Sequence, residues 1–204
     1  TLQEYDPAAN SWTMRAPVPW TGYRYLGVGF VINGNGYVCT GTDGSGNYFN
    51  DLWKYDPVAN SWSAKAPCPG PARVLGFGFG IGDNGYVGLG GDAFVFFNDV
   101  YEYNSIGDSW TQKNNFPGGY RAHVIGTSLG NFGYAGAGVE VDLSFNFIDH
   151  KDFFKYDPAF DSWTQVADIP GPARLSATSF SSNNMVFAGL GRDSQLPNIG
   201  SNFT

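Results

Sequence analysis

The sequence has little charge, little cysteine and no long hydrophobic run. Only 14% of its 204 residues are Asp, Glu, Lys or Arg, and the formal net charge is −7. Nucleic-acid-binding proteins collect Lys and Arg on one face, so this acidic balance argues against a phosphate-backbone partner. No apolar run approaches the roughly 20 residues that a membrane-spanning helix needs. The sequence therefore predicts no nucleic-acid partner and no transmembrane segment.

The first residues and the two cysteines decide little about the compartment. Residues 1–5 lack the basic and apolar regions of a signal peptide, so if the protein is exported, its targeting segment is expected to have been removed or to lie outside this chain. Cys39 lies in an apolar, strand-like run and is expected to be a small core residue. Cys68 lies between two prolines and is expected in a loop. Because a disulfide requires close Cα atoms, which a sequence cannot establish, no pair is assigned.

Glycine, proline and aromatic residues are abundant instead. The chain has 29 Gly and 12 Pro, and 17% of its residues are aromatic. This mixture is typical of many short strands joined by tight turns, with large side chains between the layers. A disordered chain would have fewer aromatic residues and more charge. The composition therefore predicts an all-β domain.

Three kinds of landmark residue recur in one register along the chain. A tyrosine stands seven residues before each recurring tryptophan, and an arginine recurs with nearly the same spacing of 48 to 53 residues. Self-similarity at a fixed period is the signature of a repeat architecture. The landmarks are Tyr5, Tyr55, Tyr103 and Tyr156; Trp12, Trp62, Trp110 and Trp163; and Arg24, Arg73, Arg121 and Arg174.

Each repeat contains the pattern of four short strands. In residues 70–116, a Gly-Pro turn precedes a run that alternates large residues with glycine, and Asp-Asn-Gly then predicts a hairpin. Four antiparallel strands per period describe one propeller blade. We expect strands near 24–32, 36–41, 51–55 and 61–65, with equivalents one period on. The inner strands are expected at 24–32, 73–81, 121–128 and 174–180, and the four landmark tryptophans are expected to be substantially buried between blades.

The amino-acid sequence of the repeat resembles that of a known family. The double glycine, the tyrosine and the tryptophan after a polar turn, as in residues 50–57 followed by Asn60, Ser61 and Trp62, resemble a kelch repeat. The sequence is particularly similar to galactose-oxidase-like kelch proteins of bacterial surfaces and secretions. This resemblance covers nearly the whole chain and implies an all-β kelch-type β-propeller, located outside the cell or at its surface. It does not specify an activity, because propellers host unrelated functions.

The repeat frame leaves two half blades at the ends. Complete blades are predicted at 20–69, 70–116 and 117–169, and half blades at 1–19 and 170–204, where 192–204 would be a loop. The halves could join into one composite blade and close a four-bladed ring. Alternatively, the chain is a partial ring or a fragment of a larger propeller. We favour the second interpretation, because four blades is the low end of the usual range.

The candidate binding site is an aromatic face built by loops. Strands run alternately up and down, so second-to-third-strand loops and blade-to-blade segments emerge on one side. Variable loops on a regular frame commonly carry recognition, and an aromatic rim with arginines resembles an interface. The alternative is that these side chains cover edges between blades, and the recurring arginines are expected to serve such a structural role. The predicted partner-binding residues are Trp20, Tyr23, Tyr48, Phe49, Phe94, Phe96, Phe97, Tyr120, Phe145 and Phe147, with the 143–148 stretch in the longest loop.

The residues needed for catalysis are sparse. The resemblance suggests a copper oxidase, which needs two tyrosines, two histidines and a cross-linked cysteine, but His123 and His150 are the only histidines and lack a ligand spacing. Sugar epimerisation would need an acid–base pair, for which Glu140, Asp142 and Asp149 are candidates, although solvated loop carboxylates are commoner. Residues 43–47 resemble the start of a calcium loop but lack its distal glutamate. The sequence thus predicts no catalytic residue, metal or cofactor.

We therefore expect a secreted or cell-surface binding or scaffolding module that contacts a protein or glycan partner. The rival hypothesis is a carbohydrate-active enzyme, oxidase-like or epimerase-like, whose site is completed by blades outside this chain. Full-length sequence carrying paired histidines, or a clustered Tyr–Cys pair, would favour the rival.

Overall fold

The computed structural model describes residues 1–20 and 22–193, and every regular element in this part of the chain is a β-strand. Among these residues there is no helix that could cross a bilayer. The strands are β1 (Leu2–Asp6), β2 (Ser11–Arg15), β3 (Val28–Ile32), β4 (Asn35–Cys39), β5 (Leu52–Asp56), β6 (Ser61–Lys65), β7 (Phe77–Ile81), β8 (Asn84–Gly88), β9 (Val100–Asn104), β10 (Ser109–Lys113), β11 (Ile125–Leu129), β12 (Phe132–Gly136), β13 (Val139–Val141), β14 (Phe147–Asp149), β15 (Phe153–Asp157), β16 (Ser162–Val166), β17 (Thr178–Ser182) and β18 (Met185–Gly189).

Three four-stranded antiparallel sheets form the complete blades. Their strand orders are β3-β4-β5-β6, β7-β8-β9-β10 and β11-β12-β15-β16, while β1-β2, β17-β18 and the extra hairpin β13-β14 are two-stranded. The inner strands β3, β7, β11 and β17 pack in succession and line one central channel with their first residues. The predicted all-β fold of four-stranded antiparallel blades is confirmed.

The inner strands show why alternation of large and small residues suits this position. In β3, Val28, Phe30 and Ile32 are buried, whereas Gly29 and Val31 between them are exposed. Because successive side chains of a strand point to opposite faces, every second residue enters the core between blades. The ring of Phe30 lies over Gly85 of the next blade, and the ring of Phe79 lies over Gly133 of the blade after that. A side chain at either glycine would overlap the ring, so these glycines are required by close packing between blades.

The landmark tyrosine and tryptophan form a clasp between neighbouring blades. In the second blade the hydroxyl of Tyr103 and the backbone amide of Ala66 both donate to Oδ1 of Asp108, at 2.8 and 2.9 Å. Trp110 Nε1 donates to the carbonyl of Ala66 at 2.7 Å, and the Tyr103 and Trp110 rings lie 5.1 Å apart. The clasp thus binds the preceding blade through the amide and the carbonyl of Ala66. The same Tyr–Asx–Trp clasp occurs at Tyr55, Asn60 and Trp62 and at Tyr156, Asp161 and Trp163.

The prediction that the four landmark tryptophans are substantially buried was wrong in part. The tryptophans of the complete blades are only half-buried, and each donates its indole N–H to a backbone carbonyl of the preceding segment. Trp12, in the first half blade, is 67% exposed. Cys68 lies in a loop as predicted, but its side chain is fully buried in the same core cluster as Tyr37 and Leu52. Cys39 is buried as predicted, and both thiols are free.

The inner strands begin about four residues later than predicted. The arginine of each repeat precedes the strand, and the next residue forms a single bridge, as in Tyr25 to Thr42 and Val74 to Gly91. The residue after that has a positive φ, which is 60° at Leu26, 61° at Leu75 and 57° at His123. This left-handed residue interrupts the strand, so the arginine lies outside it.

The two half blades remain separate among the described residues. The pairs β1-β2 and β17-β18 are distinct sheets, and no contact joins β3 to β17. A composite blade closing a four-bladed ring is therefore not formed by residues 1–20 and 22–193, which make an open arc. The predicted terminal loop falls mostly on residues 194–204, which lie outside the described residues.

Candidate binding face

The candidate site is the side of the arc where the second-to-third-strand loops and the blade-to-blade segments emerge. We call it the loop face and define it by residues 20, 22–25, 41–50, 90–99, 117–121 and 138–152. The opposite face carries the third-to-fourth-strand turns at 57–60, 105–108 and 158–161. Because the strands alternate in direction, side chains on these two faces lie at opposite ends of the blades.

A buried arginine supports the loop face in each complete blade. Arg73 is fully buried, and its Nη2 donates to Asp99 Oδ2 at 2.8 Å while its Nε donates to the carbonyl of Pro71 at 3.0 Å. Burial alone would lower the pKa of Arg73, but the hydrogen bonds and charge of Asp99 outweigh it and raise that pKa. Arg121 likewise donates two hydrogen bonds to the carboxylate of Asp152, and Arg24 donates one to Asp51.

The backbone of these arginines connects neighbouring blades. The carbonyl of Arg73 accepts a hydrogen bond from the amide of Gly41 in the preceding blade at 2.8 Å, and the carbonyl of Arg121 accepts one from Gly90 at 2.7 Å. The expected structural role is therefore divided: the side chain of Arg73 or Arg121 secures its own blade, and its carbonyl binds the preceding blade.

Three of the predicted partner-binding residues lie against these arginines. The guanidinium of Arg24 lies between the rings of Trp20 and Phe49, 4.2 and 3.9 Å from their centroids. That of Arg73 lies 4.8 Å from the ring of Phe97. Such cation–π contacts hold the rings in place beneath the face.

The other predicted residues divide by exposure. Tyr48 and Phe96 are half-buried, each in a single bridge to the start of its loop. The five exposed residues protrude from several loops and from all three complete blades: Tyr23 (87% exposed), Phe94 (91%), Tyr120, Phe145 (86%) and Phe147.

An aspartate at the start of each loop fixes its conformation. Oδ1 of Asp43 accepts hydrogen bonds from the amides of Ser45 and Asn47, and Oδ1 of Asp92 accepts them from Phe94 and Val95. The side-chain amide of Asn47 is the main cause of the lowered pKa of Asp43. The carboxylate that suggested a calcium loop is thus used to stabilise a turn.

Sequence reasoning missed the residue that protrudes most. Leu143, at the tip of the β13–β14 hairpin, is fully exposed, and it was included only as the start of an aromatic stretch. The signal available was the Asp-x-Ser-x-Asn wording shared by residues 43–47 and 142–146, which predicts one loop geometry with different side chains at its tip.

The histidines and carboxylates of the third blade are spread over separate contacts. His123 Nδ1 lies 2.6 Å from Ser176 Oγ near the channel, and burial followed by the charge of Arg192 lowers its pKa. His150 Nε2 lies 3.4 Å from Glu140 Oε2. Burial followed by the charge of Arg121 lowers the pKa of His150.

The remaining candidate acids do not form a metal site with these histidines. The carboxylate of Asp142 accepts amides of its own loop, from Ser144 and Asn146. Among residues 1–20 and 22–193, no group of three or more His, Cys, Asp or Glu side chains is placed to hold a metal ion.

Comparisons with known proteins support this architecture. The kelch motif family matches residues 29–69, which cover most of the first complete blade. The solved structure of YjhT, a kelch-type propeller, is similar over 95% of this chain and 69% of that chain, with a TM-score of 0.80 and 16% sequence identity. At that identity the likeness shows the fold alone. No curated protein matches the sequence.

The repeated four-stranded sheets, the matched kelch motif and the similarity to YjhT lead to one conclusion about the fold. The chain has the β-propeller fold, with four-stranded antiparallel blades and a kelch motif at residues 29–69, and its described residues form a partial ring.

Proposed function

We propose that this propeller is a non-catalytic binding or scaffolding module that contacts a protein partner through its loop face. Kelch propellers commonly serve binding or scaffolding. The proposed location, from the resemblance to surface and secreted kelch proteins, is outside the cell or at the cell surface. A glycan is the second partner class that aromatic side chains could bind.

The observation that carries the proposal is the exposure of aromatic side chains on loops whose backbone is held by hydrogen bonds. Tyr23, Phe94 and Tyr120 come from three different segments of the loop face, and each is exposed although buried arginines and loop aspartates fix the surrounding backbone. Clustered exposed apolar side chains mark contact sites, and aromatic residues supply most of the binding energy at interfaces.

The alternative function is a carbohydrate-active enzyme completed by further blades. The observation in its favour is the contact of His123 with Ser176, which directly precede the channel-lining residues Val124 and Ala177. A 2.6 Å contact between an imidazole and a hydroxyl could take part in proton transfer. Turnover of a sugar substrate that is lost in His123→Ala would favour this alternative.

The test compares two sets of substitutions on opposite faces. The first variant carries Tyr23→Ser, Phe94→Ser and Tyr120→Ser on the loop face. The second carries Val58→Ser, Ile106→Ser and Phe160→Ser, which are equally exposed but lie in the turns of the opposite face. Both sets replace three exposed, largely apolar side chains by serine, so neither is expected to affect folding.

Each protein is immobilised and exposed to surface and medium fractions of the source cells, and recovered proteins are quantified. The proposal predicts partners that bind the wild type and the second variant but not the first. Equal recovery by both variants, with circular dichroism showing that both are folded, would contradict it.

A further inference from the structure

The third blade carries a hairpin that the other complete blades lack among their described residues. In the first and second blades the second-to-third loop contains only single bridges, Thr42 to Tyr48 and Gly91 to Phe96. In the third blade this loop is extended by β13 and β14, which pair from Val139 with Asp149 to Val141 with Phe147. The hairpin projects its tip, residues 142–146, from the loop face.

The tip has the same hydrogen-bonded frame as the loop of the first blade. Asp142 Oδ1 accepts the amides of Ser144 and Asn146 at 2.7 and 2.9 Å, and Asp142 Oδ2 accepts the Asn146 side-chain amide at 3.0 Å. Residues 43–47 make the three equivalent bonds through Asp43, at 2.8, 3.3 and 2.7 Å. The two loops therefore form a comparison within one molecule.

The two loops differ in the residues that alternate with the hydrogen-bonded positions. The first has Gly44 and Gly46, and the third has Leu143 and Phe145 in their places. Gly46 has a φ of 93° and Phe145 a φ of 61°, a region that disfavours any side chain with a Cβ. Leu143 is 103% exposed and Phe145 86%, so neither gains burial within the chain. The same hydrogen bonds form in the first-blade loop without these side chains. The unfavourable φ of Phe145 and the exposed apolar surface of both residues are not offset by packing within the chain.

The charges around the tip indicate which partner would offset that cost. No Lys or Arg occurs between Arg121 and Lys151, while Glu140 and Asp142 place carboxylates at the base of the tip. An ionised Asp142 beside Leu143 opposes insertion into lipid, and the acidic stem is repelled by anionic headgroups. An aliphatic Leu143 offers no flat ring to a sugar. An apolar pocket on a protein would bury the apolar tip, and cationic side chains around that pocket would complement the acidic stem.

We propose that Leu143 and Phe145 are the anchor of the loop face and insert into an apolar pocket on a protein partner, bordered by Lys or Arg side chains. This inference rests on the proposed function and places the centre of the partner contact at the hairpin tip. Anchors of this kind dominate binding energy when they fill a desolvated pocket.

The test uses photo-crosslinking followed by measured affinities. p-Benzoylphenylalanine is placed at position 145, and at position 160 as a control, because Phe160 is also strongly exposed (80%) but lies on the opposite face of the same blade. We expect a protein crosslinked from position 145 only, through a peptide that combines apolar residues with Lys or Arg. The dissociation constant of that purified protein is then measured against Leu143→Gly/Phe145→Gly and against Phe160→Gly.

The glycine pair restores the tip residues of the first-blade loop, so we expect its thermal unfolding to match that of the wild type. Its affinity should fall about thirty-fold or more, the effect of losing a typical hot spot. The affinity of Phe160→Gly should not change. Raising the salt concentration should weaken binding of the wild type by screening the acidic stem.

The outcomes separate this inference from the proposed function. If no protein crosslinks at position 145, or if the glycine pair binds as tightly as wild type, the proposal that Leu143 and Phe145 are the anchor is wrong. The proposed binding role of the loop face is still supported if the variant at Tyr23, Phe94 and Tyr120 loses the partner. Glycine-sensitive binding to phosphatidylcholine vesicles would instead overturn the protein-pocket proposal in favour of a lipid surface.

Discussion

Single residues of the clasp connect each blade to the one before it. Trp110 and Trp12 occupy equivalent positions, yet Trp110 Nε1 donates to the carbonyl of Ala66, whereas Trp12, which no earlier blade precedes in this chain, is exposed. The clasp residue between tyrosine and tryptophan is Asn60 in one blade and Asp108 in the next. Trp12 therefore serves as a comparison for the bonded indole of Trp110. Asn60 serves as an uncharged comparison for Asp108.

The first prediction concerns the two tryptophans. Trp110→Ala removes a half-buried ring and an interblade hydrogen bond, and it should lower the free energy of unfolding by about 3 kcal/mol. Trp12→Ala removes an exposed ring and should cost less than about 1 kcal/mol. Urea denaturation of both variants measures the difference. Equal losses would contradict an interblade role for the indole.

The second prediction concerns the pH dependence of the clasp. The Ala66 amide, opposed by partial burial and assisted by the Tyr103 hydroxyl, lowers the pKa of Asp108. A lowered folded-state pKa gives stability that is present above the unfolded pKa, about 3.9, and lost as the pH falls through the folded value. Asp108→Asn keeps the acceptor oxygen, as Asn60 does, but does not titrate.

Wild type should therefore lose stability relative to Asp108→Asn below about pH 4 and show a constant difference above about pH 5. Urea midpoints measured from pH 3 to pH 7 check this expectation. If the two proteins have parallel pH profiles, the ionised carboxylate contributes nothing to the clasp.

At the scale of elements, aromatic rings of one blade pack against glycines of the next. Gly133 in β12 lies under the ring of Phe79, and an added Cβ would overlap it. Gly36 is the equivalent residue in β4, where the nearest atom to an added Cβ is the Cβ of Tyr55 at 3.8 Å. The same residue type in the same strand position thus has two different surroundings.

The third prediction compares these glycines. Gly133→Ala should destabilise the fold by about 1–3 kcal/mol, because Phe79 is buried and its ring cannot move without disturbing the interface. Gly36→Ala should be neutral or slightly stabilising, since alanine reduces the freedom of the unfolded strand. Thermal unfolding of the two variants distinguishes them, and a stable Gly133→Ala protein would refute the proposed close packing.

The elements also show how far sequence reasoning reaches. Alternation and repeat spacing predicted four strands per blade because buried and exposed faces alternate strictly along a strand, as in Val28, Phe30 and Ile32. The start of the inner strands was misplaced because no residue signal marks the positive φ of Leu26 or Leu75. The Pro-Cys-Pro sequence contains no signal for the burial of Cys68, which depends on packing against the next blade.

The candidate site was predictable only as a region. The aromatic composition of the loops indicated the face, but it could not separate Phe97, held against Arg73, from Phe94 three residues earlier, which is exposed. That distinction depends on how each loop turns, which the hydrogen bonds of Asp92 determine. The role of the Asx clasp residues depends on contacts between distant segments, such as that of Asp108 with the Ala66 amide.

At the scale of the whole molecule, the two faces of the arc differ in construction. The loop face has variable loops, a projecting hairpin and exposed aromatic residues from every complete blade. The opposite face repeats one short turn, each with a single exposed apolar residue such as Val58 or Ile106. A regular scaffold with one variable face is the arrangement expected of a recognition module.

The most direct test of the central claim is hydrogen–deuterium exchange of the protein with and without the partner identified by crosslinking. We predict slower exchange in residues 43–48, 92–97 and 142–148 of the loop face, with the greatest protection at 142–148. The turns at 57–60, 105–108 and 158–161 should exchange at unchanged rates. Protection of those turns, or of the channel-lining strands alone, with the loop face unaffected would contradict the account.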